Sequence, residues 1–325
     1  MRIGIDLMGS DSPPSRLLEA AELAAEELQG RASLVALASH EALRDLPKEC
    51  GIELFPTEEE ITMDDLPLVA IRRKRLSSLV WGMRLLKSKE LDGFVSAGNT
   101  GALIAAAALL LPALPTISRP ALLATLPTLH GNVAVIDIGG NVSCKPSHLL
   151  QFARMGAAYK RCVDGITAPR VGLLNIGTES QKGTSGVREA YDALLLEKNP
   201  HFTFIGNIEG REAFSGVVDV LVCDGFSGNV FLKTAEGISS FILSHLDEAL
   251  GPRTSPEVEA ALSSLARRVN YAEYPGAIIC GVEGVVIKCH GFSSTQAMCN
   301  GIKGACNLIE NALIQNLKAA LTATL

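Results

Sequence analysis

The sequence predicts an α/β fold, with a largely parallel sheet covered by helices on both faces. Three observations carry that reading. Short apolar runs recur along the chain without polar alternation, the mark of strands buried on both faces. The runs end in glycine-containing loops, most of which also carry asparagine. A helical stretch often follows the loop, and strands that alternate with helices lie parallel.

The elements follow in order. Asp92 to Ala97 is a strand leading into Gly98-Asn99-Thr100-Gly101 and a helix from Ala102. The longest apolar run, Ala102 to Leu111, is followed by Pro112 and Pro115. A bilayer span needs about 20 residues, so a buried core helix is expected there. Val133 to Ile138 is the next strand, ending in Gly139-Gly140-Asn141. Arg170 to Leu174 ends in Asn175-Ile176-Gly177, with a helix over Val187 to Leu196. Val218 to Cys223 runs into a loop from Asp224 to Asn229. Val285 to Cys289 runs into His290-Gly291-Phe292-Ser293-Ser294, then one long C-terminal helix. Ligands of such sheets bind beyond the carboxyl ends of the strands. Glycine there lets backbone approach a ligand, and helix starts favour anions. An anionic ligand is therefore expected.

No linker divides the 325 residues, which read as one unit over 1–325. The segment 250–274 is the candidate for a protruding helix. Gly251-Pro252 and Ser255-Pro256 open it. Val258, Leu262, Leu265 and Val269 then recur at helical spacing, near Arg267 and Arg268. That face serves a core or dimer contact, or meets acyl chains or a membrane surface.

The formal net charge is −6, against the basic excess of a general nucleic-acid binder. Met1 to Met8 carries Asp6 within its short apolar stretch, unlike a signal peptide. The eight cysteines, at 50, 144, 162, 223, 280, 289, 299 and 306, form no C-x-x-C pair and no zinc-site spacing. A reduced, cytoplasmic protein without a bound metal is expected. Dinucleotide and nucleophile-elbow motifs are absent, and Gly177 to Thr184 departs from a P-loop because Lys182 precedes Gly183. These absences weigh against dehydrogenase, kinase and esterase chemistry.

What remains for chemistry is a set of amides, lysines and one histidine placed near strand ends. They are Asn99, Asn141, Lys145, Asn175, Lys182, Asn229, Lys233, Lys288 and His290. Separately, Arg72-Arg73-Lys74-Arg75 is a basic run in an acidic protein. It is either a solvated helix face or a docking patch for an acidic partner.

Nine segments in order resemble the PlsX family, the acyl-acyl carrier protein:phosphate acyltransferases. They are MRIGIDLMGSDSPP from Met1, MDDLPLVAIRRKRLSSL from Met63, SAGNTGA from Ser96, RPALLATLPT from Arg119, DIGGNVSCKPSHLLQ from Asp137, PRVGLLNIGTESQKG from Pro169, GNIEGR from Gly206, DVLVCDGFSGNVFLKTAEG from Asp219 and GVVIKCHGFS from Gly284. The resemblance implies a three-layer α/β/α fold like that of isocitrate and isopropylmalate dehydrogenases, with two intertwined lobes. It implies transfer of a fatty acyl group from acyl carrier protein to inorganic phosphate, for phospholipid synthesis, with no cofactor. It also implies a homodimer, peripheral contact with the cytoplasmic membrane, and an acyl phosphate product consumed by a membrane glycerol-3-phosphate acyltransferase. The chain departs from the family opening at Ser10, where glycine is usual, and at Ser12, where histidine is usual. Gly140 and Cys289 each stand where alanine is common.

Phosphate is already anionic, so it needs positioning and charge compensation more than deprotonation. On that logic Lys182 and Lys288 are expected as cations for phosphate or oxyanion. Asn99, Thr100, Asn141 and Asn229 are expected to hydrogen-bond phosphate or thioester, with Lys145 and Asn175 nearby. His290 is expected to protonate the leaving thiolate or donate a hydrogen bond, and Asp224 to orient a cation. Arg72, Arg73, Lys74 and Arg75 are expected to meet the carrier protein. The rival readings are a phosphate acetyltransferase using acetyl-coenzyme A, a metal- and NAD-dependent decarboxylating dehydrogenase, and a non-enzymatic protein at the membrane.

Overall fold

The computed structural model describes residues 1–47, 51–197, 200–250, 255–269, 276–291 and 294–322. The strands are β1 (Arg2–Asp6), β2 (Ser33–Ser39), β3 (Glu53–Thr57), β4 (Gly93–Ser96), β5 (Ala121–Thr128), β6 (Gly131–Ile136), β7 (Arg170–Asn175), β8 (Thr203–Glu209), β9 (Val220–Val222), β10 (Ala277–Cys280) and β11 (Val285–Lys288). The helices are α1 (Pro14–Leu28), α2 (His40–Asp45), α3 (Pro67–Arg73), α4 (Ser78–Lys87), α5 (Thr100–Leu110), α6 (Pro146–Asp164), α7 (Ser185–Leu196), α8 (Gly225–Leu250), α9 (Pro256–Val269), α10 (Thr295–Glu310) and α11 (Leu313–Thr322).

All these strands join one sheet in the order β3-β2-β1-β4-β11-β10-β5-β6-β9-β7-β8. Its strands are apolar throughout because both faces are covered. Along β6, Ala134 and Ile136 enter a first apolar cluster while Val133 and Val135 enter a second. In β11, Val285 and Ile287 face the first cluster and Val286 the second. The first cluster is closed by α1, α6, α10 and α11, the second by α3, α4 and α5. This is the three-layer α/β/α architecture that the sequence predicts.

The parallel character is divided into two blocks. Strands β3, β2, β1, β4 and β11 run together. Strands β6, β9, β7 and β8 also run together. Three antiparallel pairings, β11 to β10, β10 to β5 and β5 to β6, reverse the second block against the first. The register then decides where ligands can sit. Ile287 lies opposite Ile278, Ile278 opposite Leu123, and Leu123 opposite Ile136. The carboxyl ends of β11 and β6 therefore reach the same level from opposite directions. Two sets of strand-end loops meet at one place in the sheet.

Two local expectations are revised. The long C-terminal helix is two helices, because Asn311 ends α10 and Ala312 takes a left-handed φ of 51° before α11. The stretch after Asp224 is helical rather than a loop, with α8 starting at Gly225. The apolar run from Ala102 is the core helix α5, which buries Ala102, Leu103, Ile104, Ala106 and Ala107. Among the described residues no helix is long and apolar enough to cross a membrane. Of the segment 250–274, α9 is a helix whose Val258 and Leu265 are exposed. Residues 251–254 and 270–274 lie outside the described residues.

Candidate active site

Each half of the sheet shapes its strand-end loops with a buried carboxylate. Asp6 ends β1. Its oxygens accept from the Met8 amide at 3.1 Å and the Ser96 hydroxyl at 2.8 Å, and Ser96 in turn accepts from the Gly98 amide at 3.1 Å. Asp137, just past β6, accepts from the amides of Leu122, Gly139 and Gly140 at 3.0, 3.2 and 2.8 Å. It also accepts from the Asn141 side chain at 2.8 Å. Gly139 adopts a φ of 137° in this turn, a conformation that favours glycine. That is the reason for Gly139 in the turn after β6.

Between these loops lies a cleft of about 390 Å³. The first half contributes Asp11, Thr100, Lys288 and His290 to its lining. The second half contributes Gly139, and α8 adds Asn229, Lys233 and Glu236. The α8 residues stand at i, i+4 and i+7, one face of a helix.

Lys288 is the central cation. It is buried at the end of β11, and its Nζ donates to the carbonyls of Ala97, at 3.2 Å, and Cys289. Burial pulls its ammonium down to about 8, with the charge of Lys233 acting in the same direction and Asp11 and Asp6 opposing. Lys233 reaches the cleft from α8. Its Nζ donates to Glu236 Oε2 at 2.7 Å and lies 3.1 Å from His290 Nε2. An ammonium has only donors, so in this contact His290 Nε2 is the acceptor. Loss of solvent, then the Lys233 charge, hold the imidazole below its usual value, against the pull of Glu236. His290 is thus a neutral ring in this arrangement, and the positive charge beside it belongs to Lys233.

Ser10 and Ser12, the two departures from the family opening, sit behind this histidine. Their hydroxyls reach the Gly291 carbonyl at 2.9 and 3.5 Å. They support the loop that carries His290.

The structure brings Thr100, Asn229, Lys233, Lys288 and His290 together at the cleft. The other sequence candidates are placed differently. The Asn99 amide group reaches the carbonyls of Thr62, Met63 and Asp65, and its oxygen caps α5 at the Ala102 amide. Asn141 is spent on Pro120 and Asp137. Asp224 caps α8 by accepting from the Ser227 amide and hydroxyl at 2.8 and 3.0 Å. Lys145 is exposed at the start of α6 and does not line the cleft. Asn175 accepts from the Ile176 amide and donates to the Lys182 carbonyl, within the loop after β7. Lys182 is exposed on that loop, two strands from β6 in the sheet order, and is outside the cleft lining. In the basic run, Arg72, Arg73 and Arg75 are exposed, whereas Lys74 pairs with Asp65 at 2.5 Å.

Sequence reasoning gave no role to Asp11 or Glu236. The helical spacing of Asn229, Lys233 and Glu236 was the available signal, hidden by reading the start of α8 as a loop. Among the described residues, no three His, Cys, Asp or Glu side chains converge as metal ligands would.

Strand-end loops and one face of α8 bring two lysines to a single cleft, and solved structures place the fold. A phosphotransacetylase from Streptococcus pyogenes superposes with a TM-score of 0.61 at 18% identity, covering 98% of this chain and 94% of that one. A branched-chain phosphotransacylase from Enterococcus faecalis gives 0.63 at 13% identity, covering 95% and 99%. A putative 4-hydroxythreonine-4-phosphate dehydrogenase from Salmonella typhimurium gives 0.54 at 12% identity, covering 94% and 99%. At these identities the likeness is one of fold. Sequence is more specific. Residues 1–316 match the family described as fatty acid synthesis protein. The phosphate acyltransferase of Chlamydia abortus is 42% identical, and that of Thermoanaerobacter pseudethanolicus 41%. The alignments cover 99% of both chains in the first case, and 98% of this chain and 96% of the relative in the second. The chain belongs to this family, the PlsX acyltransferases.

Proposed function

We propose that the protein transfers a fatty acyl group from the thioester of acyl carrier protein to inorganic phosphate, releasing acyl phosphate and the free carrier thiol. The observation that carries this reading is the pair of cations, Lys233 and Lys288, facing one cleft at the meeting point of the strand ends. Lys288 has no carboxylate partner within hydrogen-bond reach among the described residues, so its charge is available to a ligand. Phosphate held there lies next to the thioester carbonyl. One phosphate oxygen bonds to the carbonyl carbon, the C–S bond breaks, and the thiolate leaves to take a proton from solvent. Lys288 and Lys233 offset the charge of phosphate and oxyanion, and Asn229 and Thr100 supply hydrogen bonds. His290 holds Lys233 in place. Lys182 meets the substrate only at the rim, from the β7 loop.

The carrier protein docks beside the cleft. Met63, which lines it, continues into exposed Leu66, Leu68 and Val69 and then into Arg72, Arg73 and Arg75. An apolar ridge with a basic end suits an acidic partner that delivers an acyl chain. The protein acts as a homodimer in the cytoplasm. Exposed Phe226, Val230, Ile238, Phe241 and Ile242 on α8 support the pairing, and α9 supports peripheral membrane contact. A membrane glycerol-3-phosphate acyltransferase would consume the product.

The test is turnover of the purified chain with palmitoyl-acyl carrier protein and phosphate, reading free thiol and trapping acyl phosphate with hydroxylamine. Phosphate-dependent thiol release and a trapped hydroxamate are expected. Activity confined to acetyl-coenzyme A would move the protein to the acetyltransferase reading that its fold neighbours represent.

A further inference from the structure

Glu236 is half satisfied. Its Oε2 accepts from Lys233 at 2.7 Å. Its Oε1 is buried and has no hydrogen-bond partner among the described residues. A buried acceptor without a donor is destabilising. Glu236 lines the cleft, so the missing donor can be the ligand itself. The neighbouring groups, Lys233, Lys288 and Asn229, offer donors to anionic oxygens. The cleft thus presents donors for several oxygens and one acceptor for a hydroxyl.

Orthophosphate matches both features. At neutral pH it carries at least one P–OH beside its anionic oxygens, whereas sulfate carries none. Resting on the reading that phosphate is the acceptor substrate, we propose that Glu236 selects orthophosphate over oxyanions that lack a hydroxyl, by accepting the P–OH at Oε1. The ion pair with Lys233, one helical turn away on α8, fixes the carboxylate so that Oε1 stays turned from Lys233. An oxyanion without a hydroxyl sets lone pair against lone pair at Oε1 and is repelled. No bond is made or broken in this selection. The hydroxyl keeps its proton, and a different phosphate oxygen attacks the thioester.

Calorimetric titration of the purified full chain with inorganic phosphate, sulfate and monofluorophosphate tests this. Monofluorophosphate has the shape and charge of hydrogen phosphate but no hydroxyl. The wild type is expected to bind phosphate about tenfold or more tightly than either other anion. In E236Q the amide can donate instead of accept, and the three affinities are expected to come within about threefold. Wild-type protein that binds monofluorophosphate as tightly as phosphate overturns the proposal, with no reliance on a variant that folds. A folded E236Q that keeps the wild-type preference overturns it as well. The reading of the reaction fails on other grounds: absence of phosphate-dependent thiol release by the wild type would remove acyl transfer and leave the anion preference standing.

Discussion

Asp6 and Asp137 are both buried carboxylates at the carboxyl end of a strand, one in each block of the sheet, and their surroundings differ. Asp137 is ringed by four donors, three of them backbone amides. Asp6 accepts from one amide and from serine hydroxyls, and burial raises its carboxyl to about 6. Asp137 spends itself on the shape of the turn that brings Gly139 to the cleft. Asp6 stands behind the buried ammonium of Lys288 and helps to keep it charged. One half of the site thus supplies geometry and the other supplies charge, and the two contributions can be broken separately.

The charge side gives the largest expected effect. Lys288→Met removes the buried cation and should lower phosphate-dependent turnover about 100- to 1000-fold, with thermal stability retained, because a buried lysine is replaced by an apolar side chain of similar length. Since Lys288 titrates near 8 and must be protonated to act, wild-type kcat should fall as pH rises through about 8. A flat profile to pH 10, or a Lys288→Met variant that keeps full turnover, would remove Lys288 from the chemistry.

The shape side should show as stability. Asp137→Ala leaves several buried donors without an acceptor, each costing about 1 kcal/mol or more. The urea midpoint is expected to drop by the equivalent of about 3 kcal/mol or more. A drop below about 1 kcal/mol would mean that water satisfies the turn and that its geometry has another origin.

This division bears on what could be read from the sequence. The strand-end loops from Gly98, Gly139 and His290 were legible, because continuous apolar strands and glycines mark such sites in any α/β sheet. Their convergence was not legible. It depends on three antiparallel pairings in the middle of the sheet, which set Ile136 level with Ile287, and pairing partners leave no periodic trace. The amides show the same limit. Asn99, Asn141 and Asn229 occupy similar positions in the chain, yet only Asn229 turns to the cleft, since the first two are consumed by neighbouring carbonyls and by Asp137. Residue type placed them near the site, and only hydrogen-bond partners decided their use.

Asp6 sharpens the comparison through pH. Its folded value, about 6, is above its ordinary 3.8, so between these values the folded chain binds the extra proton. Stability therefore falls as pH rises from about 4 to about 6, and above 6 the cost of the buried charge, about 3 kcal/mol, is fully present. Asp6→Asn should flatten this dependence. Denaturation midpoints between pH 4 and 7.5 would show it. An unchanged slope in Asp6→Asn would mean that another group accounts for the dependence.

The smallest expected effect lies outside both carboxylates. Arg72, Arg73 and Arg75 are exposed at the end of α3 and far from either turn in sequence, so their contribution should be to encounter rather than to chemistry. Replacing all three by serine should raise the KM for acyl carrier protein several-fold at low salt and leave kcat near the wild-type value. The same triple variant should lose the salt dependence of KM, because the charges that salt screens are gone. Lys74 is left in place because its pairing with Asp65 steadies the loop that Asn99 ties down. If kcat falls with KM, the basic run reaches the reacting groups after all. In that case charge in this site is not confined to the buried lysine and its α8 neighbour.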